Sequence, residues 1–259
     1  MKRVETGGLP LVQFDLLSQA KGLAHGVTTR HGGVSPAPFD TLNLSIATGD
    51  LHERVIANRT RVAQAFYADP THLMGCHQVH GARVVLVDDQ PGESLRAERA
   101  DVLITRRAGR FISLRFADCV PVLVFDPRQR AVAIAHAGWR GTAADAPGAA
   151  VRGLVEAFGS RPGDLLAGIG PSIGPCCYEV GADTAAHFSD RPRGVLRDND
   201  RLALDLWTLN HDLLAAAGVP EPQIETSDVC TRCHADEFFS HRAAGGGPSG
   251  RFAAVAGVL

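Results

Sequence analysis

Apolar residues in this chain gather in short blocks set off by turn-forming residues, and most blocks have the length and composition of strands. Arg83–Val87 (RVVLV), Asp101–Thr105 (DVLIT), Phe111–Phe116 (FISLRF), Val120–Phe125 (VPVLVF) and Ala131–His136 (AVAIAH) follow one another closely, which predicts buried strands. Asp-Pro-Arg-Gln between the last two is good turn chemistry, so this region reads as a meander. Leu165–Gly170 and Arg251–Leu259 predict two later strands. Helical spacing appears at Glu53–Phe66, Gly148–Gly159 and Thr208–Gly218, the last with Thr208 or Asn210 as its cap and Gly218 as its stop. Strand runs flanked by helices, without strict alternation, predict an α+β fold of layered mixed or antiparallel β-sheets.

The 259 residues are enough for one large core. Ser189–Asp200 and His241–Arg251 are the least ordered in composition, but neither separates self-sufficient halves, so a single domain over 1–259 is expected. With 45% hydrophobic and 21% charged residues the chain is of folded type. A net charge of −2 without a basic run argues against nucleic acid as a partner. Met1–Gly22 lacks the apolar core and cleavage site of an export signal, and no apolar run approaches the roughly 18–20 residues that span a bilayer. A cytoplasmic location without membrane partners is the expectation. The six cysteines then read as thiols or metal ligands rather than a disulfide framework.

Two chemically capable residues stand at the edges of adjacent strands, Cys119 before Val120 and His136 at the end of Ala131–His136. With His80 or His77 from Gly75–Val84 (GCHQVHGARV), they make a His/Cys/His set that suits zinc and leaves its fourth position open. The thiolate would leave bound water less acidified than at a three-imidazole site. The same pair could instead be a cysteine nucleophile and its base, giving a hydrolase or amidase acting on a small molecule or cell-wall precursor. A third possibility is simple core packing of the thiol, and a fourth a metal-binding interaction module without turnover. Asp118 reads as an acceptor behind the site or a solvated strand-end charge.

Cys230–His234 (CTRCH) has the spacing of haem attachment and of a redox pair, but its context supports neither, and it reads as a packed turn. Ala167–Gly181 (AGIGPSIGPCCYEVG) lacks the Gly-Lys-Ser/Thr of a phosphate loop and reads as a tight turn. Arg30, Arg140, Arg242 and Arg251 lie beside glycines in segments that could present a guanidinium to an anion.

Together, HGVTTRHGGVS, TLNLSIATGD, HQVHGARVV, ADCVPVLVFDP, AHAGWRGT, GIGPSIGPCCYEVG, CTRCHADEFFSHR and GRFAAV resemble, in order and over nearly the whole chain, the laccase-domain proteins. That family was first described as multicopper polyphenol oxidases and later as purine nucleoside phosphorylases with adenosine deaminase activity. The resemblance implies an α+β domain similar to the catalytic domain of cytotoxic necrotizing factors. It also implies one metal, zinc with copper as the alternative, on His80, Cys119 and His136, with His77 a neighbour. Cys119 and Arg30 would be catalytic, Arg30 as an anion contact over the metal, with Arg30, His77, Asp118, Arg140 and Arg242 around substrate and phosphate. The implied partners are a purine nucleoside and phosphate, and the implied chain is a monomer or weak homodimer.

Phosphorolysis of adenosine to adenine and ribose 1-phosphate is the first activity implied. Deamination is second, because the H-x-E signature of zinc deaminases is absent. The laccase label fits poorly, since none of the 11 histidines forms a His-x-His pair and one His/Cys/His site cannot hold four coppers. Where the family usually pairs arginines after Phe-Phe-Ser, this chain has Arg242 and Ala243, with extra glycine before Arg251. This departure bears on substrate preference if that loop lines the pocket.

Overall fold

In the computed structural model, which describes residues 1–199 and 201–259, the apolar blocks become strands. They are β1 (Lys2–Thr6), β2 (Leu9–Gln13), β3 (Leu23–Thr28), β4 (Leu73–Met74), β5 (Val84–Leu86), β6 (Val102–Thr105), β7 (Phe111–Phe116) and β8 (Val120–Asp126). There follow β9 (Ala131–Ala137), β10 (Leu166–Ile169), β11 (Val195–Asp198), β12 (Arg201–Leu204), β13 (Ile224–Thr226) and β14 (Phe252–Val258). The helices are α1 (Asp15–Ser18), α2 (His52–Ala65), α3 (Gly92–Ala97), α4 (Trp139–Ala143), α5 (Ala146–Phe158), α6 (Ala182–Ala186) and α7 (Leu206–Ala216).

Twelve of the strands form two six-stranded mixed sheets, and β11 and β12 form a separate two-stranded one. The first has the order β1-β2-β3-β14-β7-β4, the second β13-β10-β8-β9-β6-β5. Side-chain alternation explains how they stack. On β8, Leu123 and Phe125 join Val132 and Ile134 of β9 and Ile112, Leu114 and Phe116 of β7 in one core between the sheets. The other face of β8 and β9, with Val122, Val124, Ala131, Ala133 and Ala135, packs on α5 and α7. On the far side, Val62, Ala65 and Phe66 of the α2 region cover Leu9, Leu11, Phe111 and Val255 of the first sheet. The result is four layers, helix–sheet–sheet–helix, in which both faces of the central strands are buried. This is the layered mixed-sheet α+β architecture that the strand and helix blocks predict.

The β8–β9 hairpin closes where expected. Asp126 accepts hydrogen bonds from the Arg128 and Gln129 amides (2.7 and 3.0 Å), the Asx geometry that tightens such turns. Two helix starts differ from the sequence expectation. α7 begins at Leu206, capped by Asp205, which accepts from the Thr208 amide (3.1 Å) and hydroxyl (2.7 Å). Asn210 is therefore not a cap but a buried side chain inside the helix, donating to the Leu206 carbonyl (2.7 Å). α5 begins at Ala146, behind Asp145, which accepts from the Gly148 amide (3.0 Å). Each aspartate accepts from an unpaired N–H at its helix start, and its charge suits the positive end of the helix. Within Ser189–Asp200, taken from composition as poorly ordered, β11 pairs with β12; Asp200 itself lies outside the described residues.

Alanines on one face of β9 let α5 approach through Ala149 and Ala150, while Gly153 lets it approach Val84 of β5 and Ile104 of β6. Enlarging one of these alanines should overpack this seam. Ala133→Leu is expected to cost about 1–3 kcal/mol, read as a lower urea midpoint with an unchanged slope.

Candidate active site

Hairpin register brings the two residues at its open end together. Val120 pairs with Ala137 and Pro121 with His136, so Cys119 and His136 meet at the rim of the second sheet. His80 arrives from the loop between β4 and β5. The donor atoms of His80, Cys119 and His136 lie within 4.8 Å of one another, and the two imidazoles meet edge to face, centroids 4.8 Å apart. His136 is buried and His80 exposed, so the cluster opens to solvent on the His80 side. Gly138 lies beneath it. A Cβ there would come 2.7 Å from the Cys119 sulfur, so only glycine leaves the thiol its place.

The organising group is Asp101, fully buried at the start of β6. One of its oxygens accepts from the His80 amide (2.9 Å), and the other from the amides of Gly81 (2.7 Å) and Val79 (3.1 Å). His80 has φ of +62°. This left-handed turn points three successive N–H groups at one carboxylate, the concave arrangement that binds anions. The first oxygen also lies 2.8 Å from His136 Nδ1. Three amide donors favour the ionised carboxylate, and an ionised carboxylate only accepts, so His136 Nδ1 carries the hydrogen. That fixes the tautomer and leaves Nε2 as the free donor atom. Burial opposes the charge on Asp101, but the His136 hydrogen bond and the amides outweigh it and hold the carboxyl below its ordinary value.

Electrostatics couples the other two groups. Burial opposes ionisation of Cys119, yet the neighbouring His136 and His80 bring its thiol down to about 6. Burial likewise opposes charge on His136, while the Cys119 thiolate and Asp101 raise it to about 9. Each charge thus favours the other, and without a metal the coupling favours thiolate and imidazolium over the neutral pair.

Other residues marked in the sequence lie around this centre in different ways. Asp118 is neither solvated nor behind a histidine. Its carboxylate accepts from the Thr231 hydroxyl (2.7 Å) and the Arg242 amide (2.7 Å), tying two loops to the start of β8. The acceptor behind the site is Asp101 instead. Arg30 is engaged by Asp40 through Nη2 (3.1 Å) and through the Asp40 carbonyl (2.8 Å), donates to the Ala235 carbonyl, and covers the Phe239 ring at 4.7 Å. These contacts make it a tie between two loops. His77 lines a separate cavity of about 300 Å³ with Arg59, Arg96 and Arg115. Arg140 stacks on Trp139 at 4.2 Å, and Arg242 on Tyr178 at 5.3 Å. Burial lowers the Arg251 guanidinium, and the charges of Cys119 and Asp118 counter it, which places this arginine within electrostatic reach of the thiolate. Tyr178 feels the same charges. Burial, then the Cys119 thiolate, push its phenol up to about 12.

A family profile described as "Multi-copper polyphenol oxidoreductase laccase" matches residues 24–259. The chain belongs to this laccase-like family. Among curated relatives of the family, a purine nucleoside phosphorylase of Bacteroides thetaiotaomicron is 35% identical over 247 residues, 91% of this chain and 92% of the relative. Purine nucleoside phosphorylase YlmD of Geobacillus stearothermophilus is 38% identical over 237 residues, 85% of each chain. The crystal structure of hypothetical protein YfiH from Bacillus licheniformis superposes with a TM-score of 0.90 at 34% identity, covering 99% of this chain and 97% of that one. YlmD from Geobacillus stearothermophilus superposes with a TM-score of 0.89.

Sequence reasoning missed Asp101, Tyr178 and Gly138 in this laccase-like site. A lone aspartate opening an apolar strand was the available signal for Asp101. It also took Cys230–His234 only as a packed turn. The segment is a turn, but its cysteines meet Cys176 and Cys177, a convergence invisible without the fold.

Two outcomes follow from this geometry. Asp101→Asn puts an amide where three N–H donors and an imidazole N–H converge, and metal affinity at the His80 site should fall about 10–100-fold, read by chelator competition. In metal-free protein, the ultraviolet thiolate signal lost in Cys119→Ala should appear as pH rises through about 6, well below a free thiol at about 8.5. Above that pH a metal displaces the His136 proton until His136 itself deprotonates near 9. Affinity at this site should therefore rise about tenfold per pH unit between about 7 and 9.

Proposed function

We propose that this protein is a zinc-dependent purine nucleoside phosphorylase, converting adenosine and phosphate to adenine and ribose 1-phosphate, with related purine nucleosides as further substrates. One observation carries the reading: two imidazoles and a thiolate converge at an open sheet rim, in a chain whose curated relatives bear the phosphorylase name. The donor set fits zinc. Two nitrogens and one sulfur leave a fourth position free, the Asp101 carboxylate supports His136 from behind as such ligands require, and Gly138 leaves the sulfur unobstructed. Zinc on His80, Cys119 and His136 would supply a fixed positive charge that polarises a phosphate oxygen.

The chain's own residues do the rest. Phosphorolysis needs a phosphate oxygen held against the ribose carbon while the purine departs, so cations must stand where the anion binds. Arg251, Arg140 and Arg242 supply them around Cys119 and Tyr178. Arg30 acts as a positioning residue through Asp40 and Ala235. Tyr178, kept protonated, offers a hydrogen-bond donor at the same rim.

A second reading has a specific observation behind it. Thiolate, imidazolium and buried carboxylate form a Cys-His-Asp series, the arrangement of a cysteine hydrolase. The two readings separate on metal removal, since a hydrolase of this kind works with the site empty.

Protein of measured metal content, incubated with adenosine and phosphate and resolved by mass, should yield adenine and ribose 1-phosphate. Formation should require phosphate and fall at least about 100-fold in Cys119→Ala, a loss expected when a charge-stabilising group is removed. Inosine formed without phosphate would move the assignment to a deaminase. Amide hydrolysis that survives chelation would make it a hydrolase. Absence of any turnover with the His80 site filled by zinc would overturn the proposal in favour of a binding role.

A further inference from the structure

Four cysteines that the reaction leaves unused come together away from the His80 cluster. Cys176 and Cys177 lie in the glycine-rich loop after β10, and Cys230 and Cys233 on the turn after β13. All four sulfurs lie within 4.8 Å of one another. Cys233 Sγ is 3.7 Å from Cys176 Sγ and 3.5 Å from Cys177 Sγ. Four thiolates around zinc at about 2.3 Å in a tetrahedron have sulfur–sulfur edges of about 3.8 Å, whereas a disulfide needs about 2.05 Å. These two spacings are close to tetrahedral edges and far from a disulfide, and all six cysteines of the chain are free.

The backbone is arranged for the same purpose. The two loops are joined by a parallel bridge between Ser172 and Cys230, with the Ser172 amide donating to Val229 (3.1 Å) and the Thr231 amide to Ser172 (2.9 Å). The Gly174 amide donates to the Cys230 sulfur (3.3 Å). A divalent ion with four thiolates carries net negative charge. The loop faces a cavity lined by Arg201, Arg232 and Arg242, with Glu179 paired to Arg201 (3.3 Å). Arg201 donates to the Cys176 carbonyl (3.0 Å) and Arg242 to the Cys177 carbonyl (3.4 Å). Cys176 and Cys233 are exposed, so an ion can reach the cluster from solvent.

We propose that Cys176, Cys177, Cys230 and Cys233 form a second, four-thiolate site that binds a structural zinc ion. The closed ligand set leaves no position for substrate. Its work is mechanical: it fastens the loop bearing Tyr178 to the segment whose Ala235 and Glu237 carbonyls receive Arg30. It does not rest on the phosphorylase assignment.

Metal analysis of the full chain, purified under reducing conditions, tests it. The expected result is about two zinc ions per chain, one lost in Cys119→Ala and the other in Cys233→Ser. Cobalt exchanged into Cys119→Ala should show the intense sulfur-to-metal charge-transfer and visible bands of a tetrahedral four-thiolate centre. This second measurement stands even if Cys233→Ser does not fold. Zinc content of about one per chain that vanishes in Cys119→Ala would overturn the proposal. So would a mass lower by two hydrogens with the thiols blocked to alkylation, since that would mean a disulfide.

Discussion

A buried carboxylate that no water can reach must find its donors in the protein, and Asp101 sets the terms for everything around it. Four donors from two segments meet its two oxygens: three amides of the His80 turn and the imidazole of His136. Removing one partner from such an ion leaves charge stranded in the interior, at a cost of about 3–5 kcal/mol. The same bonds choose the histidine tautomer, hold His80 in its left-handed backbone and so fix where two of the three donor atoms stand. Stability and chemistry at this rim are therefore one arrangement rather than two.

The layers explain why the rim is rigid enough to use. β8 and β9 are buried on both faces, with bulky side chains toward the first sheet and small ones toward α5. His136 falls in the bulky register, sharing the inter-sheet face of Val132 and Ile134 and resting 5.4 Å from the Phe116 ring. Alternation alone thus turns the imidazole toward the seam between sheets, and the strand end brings it to solvent. Asp118, with φ of +83°, turns the chain just before β8 and anchors the loops that carry Arg242 and Thr231. Cys119 and His136 sit at the open end of the hairpin itself, while His80 and the arginines come from segments around it.

Short-range pattern was legible in the sequence, and long-range pairing was not. The hairpin from Val120 to His136, its Asp126 turn and the three long helices follow from periodicity and turn chemistry, so Cys119 and His136 could be placed at one strand edge beforehand. His80 needed the family resemblance to single it out from His77. Asp101 looked like any strand-edge carboxylate, because nothing local shows that three amides 20 or so residues upstream will converge on it. Asp205 was passed over because the helical pattern was read from Thr208, one turn late. The four-cysteine cluster was hidden for a similar reason: an adjacent pair and a Cys-x-x-Cys pair more than 50 residues apart are each unremarkable, and it takes the fold, with the parallel bridge at Cys230 and the Gly174 amide on its sulfur, to join them.

The place of β14 has a consequence for how the protein is made. This strand lies between β3 and β7 in the middle of the first sheet, and no pairing joins those two without it. All strands of the second sheet, by contrast, have been synthesised once Thr226 has emerged. A growing chain can therefore assemble the β8–β9 hairpin and its helices while the other sheet is still split in two. Until the last strand slots in, Leu123, Phe125, Val132 and Ile134 have only part of their cover. Newly made chains would pass through a stage with a finished second sheet and an open apolar face, the kind of surface that chaperones hold and that crowding turns into aggregates.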